Sequence, residues 1–298
     1  MVAEILQDEK ISITDAVRWN LLQRKTSELR AQQAFSLFRA SSIEPILIKG
    51  LAADRFYPEA KLRNSVDMDL AVSADDFEAA TAVSRSAEAN GLAIDLHREL
   101  RHLDTVSWND LFANSHLLQL DGGSIRILRP EDHLRVLCVH WLTDGGTNKD
   151  RLWDIYYVIN NCLADFDWNR FLNTVDNERR RWLTCTVGLA SRYLDLDLTG
   201  TPVSDAADKL PQWLIFAVER EWASTTRLLP LHVCLNDPRL LIRQILKRLR
   251  PNPIWATVEM EGSFDAKTRI FYQVGSIFKR LMPSYRRIAA TVAASRFT

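Results

Sequence analysis

The stretch "VDMDLAV" (66–72) decides how the first half of the chain is read. Along a β-strand successive side chains point to opposite faces, so Asp67 and Asp69 share one face while Val66, Met68 and Leu70 share the other. Two carboxylates on one face of an apolar strand repel each other and lose hydration, an arrangement that calls for a cation between them. A divalent metal is the simplest such cation. The plain alternative is that Asp67 caps a turn after Arg63-Asn64-Ser65 and that Asp69 lies on a solvated sheet edge. The stretch by itself leaves both readings open.

Its surroundings alternate between strands and helices. The spacing of Val17, Leu21, Leu22, Leu29, Phe35 and Phe38 predicts a helix from an N-cap at Thr14 to about Ala40. "PILIKG" (45–50) reads as a short buried strand ending in glycine, and "LAADRFY" as a short helix stopped by Pro58. After "VDMDLAV", Ser73 would cap a helix running to about Asn90, with Gly91 ending it. "LAIDLHREL" (92–100) alternates as a third strand, and "HLLQLDGGSIRIL" (116–128) reads as a hairpin turning at Asp121-Gly122-Gly123. Beyond Pro130 the stretches favour helix, with Gly145-Gly146-Thr147 joining two of them. The expectation is therefore an α+β chain. An N-terminal helical segment (1–40) packs on a small mixed-sheet domain (41–129), and a helical domain (130–298) with a basic end follows.

Further residues join the aspartate pair. Gly50, ending a strand before a helix, lets backbone N–H groups approach a phosphate. Lys49 and Arg63 bracket the region with positive charge. Asp95, flanked by Ile94 and Leu96, puts a third carboxylate on the next strand, where an unpaired acid is again costly.

This ordered set resembles the DNA polymerase β-like nucleotidyltransferase superfamily. Its closest likeness is to a largely uncharacterised bacterial branch with a lysine-glycine turn. The positions that carry the resemblance read "LIKG" (47–50), Arg63, "DMDL" (67–70) and "IDLH" (94–97), and it extends over roughly residues 35–160, including "RILRPEDHLRVLCVH". It implies a polymerase β-like catalytic domain that moves a nucleoside monophosphate from a triphosphate such as ATP to a hydroxyl of an unidentified small molecule, sugar or peptide. It also implies two Mg²⁺ ions, with Mn²⁺ as an alternative, held by Asp67, Asp69 and Asp95; Asp95 helps remove the nucleophile's proton. Lys49, Gly50, Arg63 and Ser65 would steady the nucleotide. One departure stands out: the wider superfamily has serine or glycine after the turn glycine, and here Leu51 follows Gly50. The phosphate contact then passes to Lys49 or Ser65.

Other residues carry two readings each. His97 shares a face with Asp95 and would touch phosphate or acceptor, or else is a hydrogen-bonded sheet histidine. His133 and His140 lie on one helix without a third ligand at zinc spacing, and His140 would instead line a cleft. Lys149 and Asp154 would reach substrate from the helical part, or make ordinary surface and polar contacts. The tryptophans read as core.

Composition sets the outer bounds. The chain has 298 residues, 47% hydrophobic and 26% charged, which is globular. No apolar run reaches membrane-span length, and no signal-like start is visible, so a soluble cytoplasmic protein is expected. Cys138, Cys162, Cys185 and Cys234 fit no metal spacing and read as reduced core residues. From Arg239 onward there are 12 lysines and arginines against 3 acids. That basic end is either a solvated face or an attraction for nucleic acid or another anionic surface. Two other function classes compete with the enzyme reading: a non-catalytic nucleotide- or partner-binding module of the same fold, and a modifier of a protein or transfer RNA.

Overall fold

The computed structural model describes residues 2–58, 61, 63, 67–100, 105–224, 234, 237–249 and 251–279. It divides into two compact units. One comprises Met1–Leu137 with Trp153–Asp176, the other Cys138–Leu152 with Asn177–Thr298.

The first unit is built on a five-stranded mixed sheet. Its strands are β1 (Ile46–Leu47), β2 (Met68–Val72), β3 (Ile94–Arg98), β4 (His116–Leu120) and β5 (Gly123–Ile127), in the order β3-β2-β1-β5-β4. β1 runs antiparallel to β2 and parallel to β5, β2 and β3 are parallel, and β4–β5 is the hairpin expected around Asp121-Gly122-Gly123. The period of two sorts the side chains. Leu47, Met68, Leu70, Val72, Ile125 and Ile127 form one core with Ala31, Ala34, Phe35 and Phe38 of helix α1 (Val2–Ala40). Ile46, Ile48 and Ala71 form a second core on the opposite face, with Leu111 of a short helix and Leu128.

Several local expectations are corrected. α1 begins at Val2, so Thr14 lies inside it and is not its cap; residues 2–13 contain no glycine or proline to stop a helix. Leu21, Leu22 and Leu29 are exposed, and among the described side chains of α1 the buried ones are Ala31, Ala34, Phe35 and Phe38. The helix after the "LIKG" turn, α2 (Leu51–Asp54), is a single turn. Ser73 does not cap a long helix: its hydroxyl accepts from the Asp76 amide at 3.0 Å, and α3 (Phe77–Ser84) begins after that turn and ends well before Asn90. Helix α4 (Trp108–Ala113), capped by Ser107, had no sequence forecast. β2 starts at Met68, which leaves Asp67 in the bend before it. The cause lies in the neighbouring strands. Ala93 (φ 50°) turns the chain away just before β3, and Gly50 (φ 64°, ψ −121°) turns it away after β1. Position 67 therefore has no ladder on either side.

Helix α5 (Pro130–Thr143) follows the sheet, and the rest of the described chain contains no strand. α6 (Leu152–Cys162) and α7 (Trp168–Asn173) lead to α8 (Asn177–Leu194), α9 (Ser204–Asp208), α10 (Gln212–Ala223), α11 (Pro238–Leu249) and α12 (Pro253–Glu259). In the second unit the indole N–H groups satisfy loop carbonyls: Trp182 bonds Gly262 O at 2.9 Å, and Trp213 bonds Phe264 O and Trp222 bonds Gly146 O, both at 2.8 Å. These tryptophans close the core and seal loops. Gly146 (φ 66°) is held close over the Trp141 ring, where a Cβ would clash. The cysteines are free, and three of the four are buried. Among the described residues no helix is long and apolar enough to cross a membrane.

Candidate active site

The sheet register builds the site. β2 and β3 run parallel with Asp69 opposite Asp95 and Ala71 opposite His97. Asp95 and His97, two positions apart, therefore share the face of β3 onto which Asp69 also projects. Asp69 is nearly buried at 7% exposure on an interior strand, which excludes the solvated-edge reading. Asp95 lies on the edge strand and is open to solvent.

His97 Nε2 lies 3.2 Å from Asp69 Oδ1 and 3.4 Å from Asp95 Oδ2. Lys49 Nζ reaches the same Asp69 oxygen at 2.6 Å, from the turn after β1. Burial works against ionisation of Asp69. The His97 and Lys49 contacts outweigh it and hold the carboxyl below its usual range. Asp69 is thus a charged, buried acceptor flanked by two cationic or donor groups.

Gly50 and Asp67 meet elsewhere. With Leu51, Met68 and Leu92 they line a small cleft on the α1 side, and Ser27 and Arg30 of α1 complete it. Asp67 is exposed in its bend. Ser27 and Arg30 are not legible as site residues in the sequence, because helical spacing does not reveal which turn of α1 crosses the strand ends.

Arg63 is committed to another carboxylate. Its Nε and Nη2 donate to Asp154 Oδ1 and Oδ2 at 2.7 and 2.8 Å, a buried bidentate pair that also receives the Tyr57 hydroxyl at 2.6 Å. The Arg63 amide bonds Asp54, which Arg24 of α1 also holds at 2.7 Å. Burial disfavours the guanidinium charge, yet Asp154 outweighs it and keeps the group firmly protonated. Asp154 itself lies in the first unit. His133 is fully buried beside this cluster, and burial together with Arg55 and Arg63 pushes its pKa far down. It is a neutral core histidine.

His140 and Lys149 belong to the second unit. His140 Nε2 is 3.3 Å from Asp144, and the exposed Lys149 ammonium lies 5.4 Å from the Trp222 ring and 5.8 Å from the Tyr193 ring. Ser65 lies outside the described residues, as does the part of the basic end beyond Lys279.

Asp69, Asp95 and His97 each offer a ligand atom, all within 4.8 Å of one another. Two carboxylates and an imidazole form a donor set suited to a divalent cation, and the Lys49 ammonium shows that the Asp69 oxygen accepts a cation there. The residues present therefore fit a divalent cation, with His97 standing in the group where the sequence reading put Asp67.

The family described as uncharacterised nucleotidyltransferase matches residues 7–87, consistent with membership of the nucleotidyltransferase superfamily. The matched region includes most of α1, the Lys49-Gly50 turn and the Asp67–Asp69 segment, and it supports a general role in nucleotidyl transfer. No curated protein and no solved structure matches the chain.

Proposed function

We propose that the protein is a metal-dependent nucleotidyltransferase that moves a nucleoside monophosphate from a nucleoside triphosphate to a hydroxyl acceptor. The observation that carries this reading is the parallel register of Asp69 and Asp95 beside the Lys49-Gly50 turn, two carboxylates and a cation converging where a strand meets a helix. In this reading residues 41–129 form the catalytic domain, α1 lends Ser27 and Arg30 to it, and 130–298 is the helical part.

Each residue has a defined task. Asp69 and Asp95 would hold Mg²⁺ or Mn²⁺, while Asp67, which lines the separate cleft beside Gly50 and Arg30, would hold an ion only together with the phosphates bound there. Bound there, the ions would stabilise the attacking and leaving oxygens of an in-line displacement at the α-phosphorus. Gly50 has a backbone conformation that a side chain would strain, so it keeps the turn bare for phosphate. Arg30 and Lys49 supply the positive charge that a triphosphate needs. In the structure Arg63 serves its Asp154 pair, so a nucleotide contact from it requires that pair to open. Asp95, on the open edge, accepts the acceptor's proton as the new phosphodiester bond forms and pyrophosphate leaves. Free thiols accord with a cytoplasmic setting.

A competing reading, a binding module without turnover, draws on the Lys49–Asp69 pair, which already neutralises the buried carboxylate. Pyrophosphate release from each nucleoside triphosphate, in the presence of Mg²⁺ or Mn²⁺ and a panel of hydroxyl acceptors, separates the two. Release that disappears in Asp95→Asn supports the enzyme. Triphosphate binding without release from any donor supports the module.

A further inference from the structure

We infer that His97 is a metal ligand, completing an Asp69–Asp95–His97 set that selects a manganese-class ion over magnesium. The inference deepens the proposed function, because it names the ion for the same site.

His97 Nε2 is 3.2 Å from Asp69 Oδ1 and 3.4 Å from Asp95 Oδ2, so one ring nitrogen lies close to oxygens from both strands. In an octahedral shell with bonds of about 2.0–2.1 Å, adjacent donors are about 3 Å apart. The observed separations approach that spacing, so small side-chain movements suffice to admit an ion between the three groups.

Rigidity comes next. Asp69 is anchored in an interior strand, and Asp95 and His97 are two residues apart on the strand paired to it in unbroken register from Met68↔Ile94 to Val72↔Arg98. All three donors are thus fixed by one five-residue ladder. The His97 ring is also partly shielded, with its side chain 34% exposed. A histidine serving only as a surface polar group has no need to point its nitrogen at two carboxylates from neighbouring strands.

Ligand chemistry then decides the ion. Magnesium favours an all-oxygen shell and gives up water reluctantly, whereas imidazole suits first-row transition ions, of which manganese also accepts carboxylates readily. Two carboxylates and one imidazole therefore favour Mn²⁺ among the divalent ions that nucleotidyl transfer uses. The closing cation is already represented. Lys49 Nζ sits 2.6 Å from the same Asp69 oxygen, and it must swing away as the metal enters, which frees its charge for phosphate.

The test is direct metal binding to the full chain, read independently of turnover. Calorimetric titration of Mn²⁺ and of Mg²⁺, without nucleotide, is paired with electron spin echo spectroscopy of the Mn²⁺-loaded protein to detect directly bound nitrogen. Wild type should bind Mn²⁺ more tightly than Mg²⁺ by on the order of tenfold or more and show a nitrogen coupling. His97→Ala should lose the coupling and most of the preference, while His97→Asp, which restores an oxygen donor, should bind Mg²⁺ and Mn²⁺ alike. A Mn²⁺ signal without nitrogen coupling, or equal affinity for the two ions in wild type, would overturn the inference and reduce His97 to a hydrogen-bonded sheet histidine. Absence of any metal binding would overturn it too. The two readings fail separately: nitrogen-coupled Mn²⁺ with no triphosphate binding sinks the proposed function alone. Magnesium-supported triphosphate binding that is indifferent to His97→Ala sinks only the inference.

Discussion

Two clusters in the same compact unit place carboxylates against cations, and they are built oppositely. Around Arg63 the charges are matched and sealed: a buried bidentate pair with Asp154, a tyrosine hydroxyl on the same carboxylate, and buried Asp54 held by the half-buried Arg24. Around Asp69 acceptors crowd one side of a sheet whose edge strand is open, and among the described residues the strong cation against it is a lysine on a flexible stem. The first arrangement ties α1, α2 and α6 together. The second, among the described residues, has more acceptors than cations and opens to solvent at Asp95, as a site for a dissociable metal and a triphosphate requires.

The largest effect should fall on the sealed cluster. Arg63→Ala leaves Asp154 buried without its ion partner and should cost about 3–5 kcal/mol in chemical denaturation. Asp69→Asn should cost less, about 1.5–3 kcal/mol, because the asparagine keeps an oxygen for the His97 and Lys49 contacts and the flexible Lys49 stem can turn its ammonium toward water. Equal losses for both would erase the distinction between a structural and a functional pair. Next in size, Arg30→Ala should weaken triphosphate binding about tenfold, the worth of one charge-assisted contact of roughly 1.5 kcal/mol, with thermal stability unchanged. Unaltered affinity would remove α1 from the site.

His133 sharpens the contrast through pH. Its folded pKa is depressed by burial, then by Arg55 and Arg63, so the folded state binds its proton less readily than the unfolded chain does. The resulting stability is fully present above the ordinary histidine value of about 6.5 and is lost as pH falls below it, by at most about 1.4 kcal/mol per pH unit. Denaturation of wild type and His133→Leu across pH 5 to 8 should show that slope in the first and a flatter profile in the second. The smallest effect should come from Lys49→Met. With no ammonium competing for Asp69, metal binding in the absence of nucleotide should tighten a few-fold while triphosphate binding weakens. A fall in both would mean that Lys49 helps to assemble the metal site.

What was legible in the sequence follows from what periodicity encodes. Alternation identified β2, β3 and the β4–β5 hairpin, and it put Asp95 and His97 on one face. Ladder ends depend on partners, and the left-handed turns at Gly50 and Ala93 that stop β2 at Met68 are fixed by neighbouring strands. Asp67 was therefore assigned to the strand although it lies in the bend before it. Arg63 looked like a phosphate ligand because its partner, Asp154, is far away in sequence and brought near only by the packing of α6. Ser27 and Arg30 were invisible for the same reason. The α11 face, where Arg239, Arg243, Lys247 and Arg248 interleave with exposed Ile242, Leu246 and Leu249, retains the amphipathic character read from its sequence.

The most direct test of the account is calorimetric titration of the four nucleoside triphosphates into wild type and Asp69→Asn, with Mn²⁺, with Mg²⁺ and with chelator. Metal-dependent binding of at least one triphosphate to wild type, abolished in a folded Asp69→Asn, is the predicted result. Triphosphate binding that survives both the chelator and the substitution, or no binding at all to folded wild type, would contradict it.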